Sequence, residues 1–386
     1  MKKFLEGSLA VAEIIRLCKP GVIAAYPITP QTHIVEGLAA MVANGELKAE
    51  FINVESEHSA ASVVLGAAAT GVRTFSATSS QGLLLMLEVI FNIAGMRLPV
   101  VITCANRAIS APINIWNDHQ DSVTIRDSGF IQFYAETNQE ACDLHIQAYR
   151  LSEDPAILLP AMVCMDGYLL THAAEVVDMP EEEDVSKFLP PYKPVFKLDP
   201  DEPITMGVLA GPEHYMETRF AIQETLTKDV LQLIPKIVDD FEKAFGRRSG
   251  GLVEGYRIED ARHVLVAKGS VVGTIKEVVD EMRAEGHKVG ALKVITYRPF
   301  PSKAIRDSLK SAEGIGVVEK SISLGAAGPL YTDLKSVFQG MGSYPRISGF
   351  VMGLGGRDIT KESIREVFAR MSGPQVDAQF IDLKSG

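Results

Sequence analysis

Short apolar runs alternate with longer stretches of helical periodicity along most of this chain. Val11, Ile14, Ile15 and Leu17 share one helical face, and Ser8 is placed to cap that helix before it ends at Lys19-Pro20-Gly21. The run Gly21-Val22-Ile23-Ala24-Ala25 then stops at Tyr26-Pro27-Ile28-Thr29-Pro30. This predicts a buried strand over 22–26, with two prolines fixing the turn and the Thr29 hydroxyl left at the strand's carboxyl end. A helix over 32–43 and a strand over 51–54 follow. Residues 58–70 are small and apolar up to Gly71, which predicts a helix lying close on a sheet or on a partner helix. Strand 73–77, helix 82–94, strand 99–104, helix 139–151 and strand 156–163 continue the alternation. That order predicts an α/β fold built on a mostly parallel, doubly wound sheet.

Residues 178–203 are rich in Pro, Glu and Asp, including Pro190-Pro191 and Pro194, and read as an extended surface arm rather than an element. A helix over 216–244 ends at Gly246-Arg247-Arg248-Ser249-Gly250-Gly251, after which the alternation restarts. Strands 263–267, 289–294 and 314–319 are separated by helices 271–284 and 302–311, with a further helix over 326–338. This pattern implies two domains, 1–250 and a smaller one over 259–386, and 46% hydrophobic content in 386 residues is enough to fill two cores. No repeat of solenoid length is visible.

Charge narrows the partners. The net charge of −11 argues against nucleic acid and against an anionic membrane surface. Lys2 and Lys3 are not followed by the apolar core of a signal peptide, since Glu13 and Arg16 interrupt the next apolar stretch. No segment approaches the roughly 20 apolar residues of a membrane span. A cytoplasmic protein with small-molecule or protein partners is expected. Cys18, Cys104, Cys142 and Cys164 are scattered in apolar contexts with no C-x-x-C pair, so buried free thiols are expected rather than an iron–sulfur or zinc site. Any redox metal centre must then lie on another polypeptide.

Loops 27–32, 55–58, 78–82 and 106–107 all fall just past strand ends. In a doubly wound sheet they line one edge, so Thr29, Glu57, Ser79, Gln81 and Arg107 are expected to face a shared crevice. An arginine beside a threonine hydroxyl suits an α-oxo or carboxylate-bearing ligand: the guanidinium fork takes the carboxylate and the hydroxyl takes a neighbouring carbonyl. Each residue also has a plainer reading. Glu57 complements a helix dipole, Thr29 is a turn hydroxyl and Arg107 is a surface ion-pair partner. The segment Ile113-Asn114-Ile115-Trp116-Asn117-Asp118-His119-Gln120-Asp121 holds the only tryptophan. Asp118, His119 and Asp121 match no familiar metal spacing, so a hydrogen-bonded loop or capped helix start is expected there. Gly353-Leu354-Gly355-Gly356-Arg357-Asp358 lacks dinucleotide-fingerprint spacing and reads as a tight turn that touches a partner or cofactor.

Taken together, Ala25-Tyr26-Pro27-Ile28-Thr29-Pro30-Gln31-Thr32, Val54-Glu55-Ser56-Glu57-His58-Ser59-Ala60, Ala77-Thr78-Ser79-Ser80-Gln81-Gly82-Leu83, Asn106-Arg107-Ala108 and the run 111–121 resemble the 2-oxoacid:ferredoxin oxidoreductases. Their order is similar to that in the α subunit of the heterotetrameric pyruvate enzymes. Leu265-Val266-Ala267-Lys268-Gly269-Ser270, Tyr297-Arg298-Pro299-Phe300-Pro301 and Gly316-Val317-Val318-Glu319-Lys320 resemble that family's transketolase-C-terminal-like domain. The resemblance covers nearly the whole chain and is weakest over 178–258.

The resemblance implies a thiamine-pyrimidine-binding domain over 1–250. It implies CoA-dependent oxidative decarboxylation of pyruvate to acetyl-CoA, CO2 and reduced ferredoxin. Thiamine diphosphate would be shared with a β subunit that holds its diphosphate, its Mg2+ and a [4Fe–4S] cluster. Gamma and delta subunits, ferredoxin and coenzyme A complete the set, and helix 58–70 would pack near the subunit interface. Glu57 matches the glutamate that bonds the aminopyrimidine ring and favours the tautomer able to take the thiamine C2 proton. Arg107 matches the substrate-carboxylate clamp and Thr29 the hydroxyl near the carbonyl oxygen; Pro27, Ile28, Ser79 and Gln81 fall at cofactor-binding positions. Alternatives are the same chemistry on 2-oxoisovalerate, an aromatic oxoacid or 2-oxoglutarate, a non-redox thiamine enzyme half, or a non-catalytic structural subunit.

Overall fold

The computed structural model describes residues 1–341 and 345–384. The remaining residues, part of the expected 259–386 domain, lie outside the described residues. Its strands, in chain order, are β1 Lys2–Glu6, β2 Val22–Ala25, β3 Glu50–Asn53, β4 Thr74–Thr78 and β5 Val101–Asn106. Then come β6 Ile131–Tyr134, β7 Ala161–Asp166, β8 Ala174–Asp178, β9 Val253–Tyr256 and β10 His263–Ala267. The last are β11 Val289–Val294, β12 Thr296–Arg298, β13 Gly314–Glu319, β14 Arg346–Val351 and β15 Gln379–Phe380.

A seven-stranded sheet runs β12-β6-β7-β5-β4-β2-β3, parallel except for β12. A six-stranded sheet runs β15-β14-β13-β10-β11-β9, parallel except for β9. Both are doubly wound. In the first sheet the connections from β2 and β4 leave in opposite directions, so the reversal of strand order falls between these neighbours. In the second it falls between β10 and β13. Strand β12 joins the first sheet although it follows β11 of the second, so residues 259–386 do not keep to one sheet.

Helix Gly7–Cys18 buries Val11, Ile14, Ile15 and Leu17 as expected. Ser8 is not its cap: Glu6 occupies that position, and Ser8 Oγ, inside the first turn, donates to the Thr171 carbonyl at 2.9 Å. Helix Glu57–Ala69 is capped by Ser56, whose side chain accepts from Ser59 N. Ala60, Ala61, Val64 and Ala68 let it lie directly on β2 and β4, so its small residues serve the sheet. The helix expected over 82–94 is two, Ser80–Leu85 and Leu87–Gly95. The arm 178–203 is not wholly extended. Glu182–Phe188 is helical, with Glu182, Glu183 and Asp184 in its first turn, Lys187 in its last, and Val185 and Phe188 buried. Arg73 anchors the arm beyond it. The guanidinium pairs with buried Glu153 and donates to the carbonyls of Cys18 and Pro190.

One apolar cluster packs helices Gly7–Cys18, Asn138–Ser152 and Leu231–Phe245 on one face of the first sheet. A second is shared by both sheets, joining Ala60, Leu83 and Ile102 to Val264, Val294 and Leu330. Tyr134 of β6 meets Tyr297 of β12 edge to face within it, ring centroids 5.8 Å apart.

Candidate active site

Four loops leave the carboxyl ends of β2, β3, β4 and β5, and those after β2 and β4 flank the reversal of strand order. That is where open α/β sheets bind ligands. Thr29 follows β2, Glu57 follows β3, Ser79 and Gln81 follow β4, and Arg107 follows β5.

Arg107 and Thr29 meet. Arg107 Nη1 donates to the Thr29 carbonyl oxygen at 3.0 Å, and its Nε donates to the Asn114 carbonyl oxygen at 3.1 Å. Nη2 has no hydrogen bond and no carboxylate pairs with the guanidinium among the described residues, although Arg107 is only 6% exposed. Burial lowers its pKa from the ordinary guanidinium value. A buried cation held only by carbonyl dipoles is poorly compensated, and an arriving carboxylate would repair that. The Thr29 hydroxyl is half-buried and makes no hydrogen bond among the described residues.

Glu57 is buried at the first turn of its helix, also 6% exposed, and forms no hydrogen bond or ion pair among the described residues. It faces the loop after β4. A Cβ on Gly82 would lie 2.5 Å from Glu57 Oε1 and 2.7 Å from Thr78 Oγ1, so only glycine lets the carboxylate sit there. Thr78 Oγ1 is itself buried without a partner among the described residues. A carboxylate and a hydroxyl, both buried and both unsatisfied, form a cradle for a polar ring. Gly82→Ala should lower stability by about 1–3 kcal/mol through overpacking. The urea midpoint checks this, and an unchanged midpoint would show that the cradle has slack.

The remaining expected residues are placed less directly. Ser79 is buried and donates its hydroxyl to the Ala105 carbonyl at 2.7 Å, so it ties β4 to β5. Gln81 is half-buried, its Oε1 taken by the Ser80 hydroxyl. Pro27 is exposed and Ile28 half-buried on the rim.

Asp121 is the organiser of this edge. Its carboxylate accepts from Ser80 N at 2.9 Å, Arg107 N at 2.9 Å, Asn106 Nδ2 at 2.7 Å and Ser122 N at 2.7 Å. Burial raises its pKa from the usual carboxylate value, and the N–H donors pull the other way. One buried acid thus fixes the loops after β4 and β5 relative to each other. Its neighbours in the 113–121 segment serve different partners. Asp118 accepts from Gln120 N and Gly355 N, and burial pushes its pKa up to about 6. His119 is neutral, its pKa pushed down to about 3 by burial and by nearby Lys268. Lys268 Nζ donates to His119 Nδ1 at 3.1 Å, which leaves the ring proton on Nε2 to reach Asp166 at 2.6 Å. Burial opposes charge on Asp166, yet Lys320 at 2.9 Å and His119 hold its pKa well below the carboxylate range. Lys268 and Lys320 follow β10 and β13, so the crevice of the second sheet is plugged by side chains of the first.

Gly82, Thr78 and Asn114 escape a reading of the sequence alone. Only the glycine carried a signal, standing three residues after the turn residue Ser79. Glu6, His33 and His172 also gather near the β2 loop, where His33 Nδ1 hydrogen-bonds the Glu6 carboxylate and His172 Nδ1 the Thr171 hydroxyl. The four cysteines are buried free thiols, as expected. Among the described residues no helix is long and apolar enough to cross a membrane.

Residues 14–234 match the family described as pyruvate flavodoxin/ferredoxin oxidoreductase, thiamine-diphosphate-binding. The chain belongs to this family. Residues 261–364 match core domain II of the pyruvate:ferredoxin oxidoreductases. The pyruvate synthase subunit PorA of Methanothermobacter thermautotrophicus is 49% identical, over 99% of this chain and 98% of that relative. The ketoisovalerate oxidoreductase subunit VorA of Pyrococcus horikoshii is 42% identical, over 95% and 93%. Among solved structures, a 2-oxoglutarate:ferredoxin oxidoreductase from Magnetococcus marinus, with 2-oxoglutarate, coenzyme A and succinyl-CoA bound, superposes with a TM-score of 0.71 at 19% identity. It covers 96% of this chain, and this chain spans 65% of that one. The likeness shows that the two share a fold over nearly all of this chain.

Proposed function

We propose that this chain is the substrate-clamping, thiamine-pyrimidine-binding subunit of a pyruvate:ferredoxin oxidoreductase and is active only in complex. The assembled enzyme converts pyruvate, CoA and two oxidised ferredoxins to acetyl-CoA, CO2, a proton and two reduced ferredoxins. The observation that carries the reading is the buried Arg107 guanidinium, bonded to the Thr29 carbonyl and without a carboxylate partner among the described residues.

The residues fit the cofactor. Glu57 and Thr78 offer an acceptor and a hydroxyl in a cradle kept open by Gly82, which suits the aminopyrimidine ring of thiamine. When bound, thiamine diphosphate supplies a carbanion-stabilising centre for decarboxylation. Glu57 then holds a proton against a ring nitrogen. Arg107 pairs with the oxoacid carboxylate and Thr29 donates to the keto oxygen. Decarboxylation releases neutral CO2 and leaves the bonding electron pair behind, so the carboxylate charge that Arg107 would grip is lost with that bond and the clamp lets go. Ser79, Pro27, Ile28 and Gln81 shape the wall of the cofactor pocket.

A β subunit would carry the cofactor's diphosphate, its Mg2+ and an iron–sulfur cluster, with gamma and delta subunits, ferredoxin and CoA completing the reaction. The thiols support that division. They are scattered along the sequence, and burial pushes Cys18 up to about 12 and Cys104 and Cys142 well above the ordinary thiol value, against the thiolates a cluster needs. Residues 1–250 would form the pyrimidine domain and 259–386 the transketolase-C-terminal-like domain, in the cytoplasm.

Substrate preference is tested by assaying acyl-CoA formation in the native complex, with methyl viologen as acceptor, across pyruvate, 2-oxoisovalerate, phenylpyruvate and 2-oxoglutarate. Pyruvate is expected to give the highest kcat/KM. A higher value for a branched or aromatic oxoacid would reassign the substrate and keep the clamp. No turnover of any oxoacid would leave a structural subunit.

A further inference from the structure

Two segments singled out in the sequence, the turn 353–356 and the loop 113–121, meet in the fold. Asn114 Nδ2 donates to the Gly355 carbonyl at 3.0 Å, Gly356 N donates to the Asn117 carbonyl at 2.6 Å, and Gly355 N donates to Asp118 Oδ2 at 3.2 Å. The neighbouring loop after β13 joins in, with His119 N donating to the Lys320 carbonyl at 2.7 Å and Ile322 N to Gln120 Oε1 at 3.0 Å. Both glycines sit in the left-handed region, and Gly356 is the more tightly constrained. Gly355 has φ 60° and Gly356 φ 79°; a Cβ on the first would lie 2.6 Å from Asn114 Nδ2, and one on the second would strike Trp116 Cβ. The far side of the loop bears on the clamp. The Asn114 carbonyl accepts from Arg107 Nε, and Ala108 N donates to the Trp116 carbonyl at 3.0 Å.

We propose that the second α/β unit sets substrate affinity through this clasp: Gly355 and Gly356 fix loop 113–118 so that the Asn114 carbonyl holds the Arg107 fork in register for the oxoacid carboxylate. The proposal rests on the reading of Arg107 as the clamp. It makes Asn114, Gly355 and Gly356 positioning residues that act through Arg107. A guanidinium on a flexible stem needs two fixed acceptors to define its plane. Thr29 of one loop and Asn114 of the clasped loop supply them from separate elements.

The test uses Gly356→Ala in the assembled complex. Its kcat/KM for pyruvate is expected to fall by on the order of 10–100-fold, the scale of a small misplacement of a binding group, through KM rather than kcat. Combined with Arg107→Ala it should add little further loss, because both changes act on one guanidinium. Trp116, the only tryptophan and half-exposed, reports the loop independently of activity, and its emission in the full chain should shift. Gly286→Ala is the control for strain, with φ 93° in open space, and should behave as wild type. Where Gly356→Ala does not assemble, Asn114→Ala removes the side-chain bond to Gly355 and is read by the same KM criterion. Shifted Trp116 emission with unchanged KM overturns the proposal, as does full additivity with Arg107→Ala. If Arg107→Ala itself leaves KM unchanged, the clamp reading fails instead, so the two failures are distinguishable.

Discussion

Glu57→Gln is expected to lower turnover of the assembled complex by on the order of 10²–10⁴, the usual cost of removing a positioned proton-transfer group. The substitution keeps the shape of the side chain, so its fit against Gly82 survives and the chain should fold and assemble. What is lost is the carboxylate's capacity to hold a proton on a ring nitrogen. Exchange of the thiamine C2 proton into deuterated solvent should slow in parallel, which separates this step from electron transfer. The plainer role has a different signature. A glutamate serving only the helix dipole would lose about 0.3–1 kcal/mol of stability and no turnover. Near-wild-type turnover with normal C2 exchange would falsify the catalytic assignment and favour a structural subunit.

Arg107→Ala should cut kcat/KM for the oxoacid by roughly 30- to several-thousand-fold, the equivalent of about 2–5 kcal/mol for truncating one partner of a buried charge pair. The loss should appear as a raised oxoacid KM, with the thiamine requirement unaltered, because Glu57 and Thr78 are untouched. Lysine should not rescue it. The guanidinium reaches two carbonyls from Nε and Nη1 and still has Nη2 to offer, a geometry an ammonium cannot reproduce. If Arg107 merely braced the two loops, alanine would lower the denaturation midpoint and leave KM alone.

Much of the architecture is legible in the residue pattern because the central parallel strands β5, β7, β10, β11 and β13 are buried, largely apolar runs. Strands 263–267, 289–294 and 314–319 are where the pattern places them. Elements stabilised by partners distant in sequence are not legible. Strand β1 forms by pairing Lys2–Glu6 with Ala174–Asp178, and β12 forms on β6, neither of which local periodicity records. Helix Glu182–Phe188 lay hidden in an acidic, proline-flanked stretch, since its two buried residues pack against distant helices.

The site divides in the same way. Strand-end position alone gathered Thr29, Glu57 and Arg107 to one edge. The roles of Asp121 and Asn114 depend on main-chain groups that face them only once the sheet is assembled, and Ser79 turned out to be spent on a carbonyl.

Because β12 lends its backbone to the first sheet and the Tyr134–Tyr297 contact lies in an apolar cluster common to both, the two halves share one of their interiors. Cutting the polypeptide near the glycine-rich break would bare the edge of β6 and wet the shared interior on both pieces. Heat or denaturant should therefore melt the chain in one cooperative step, and neither fragment should make a soluble stand-alone module.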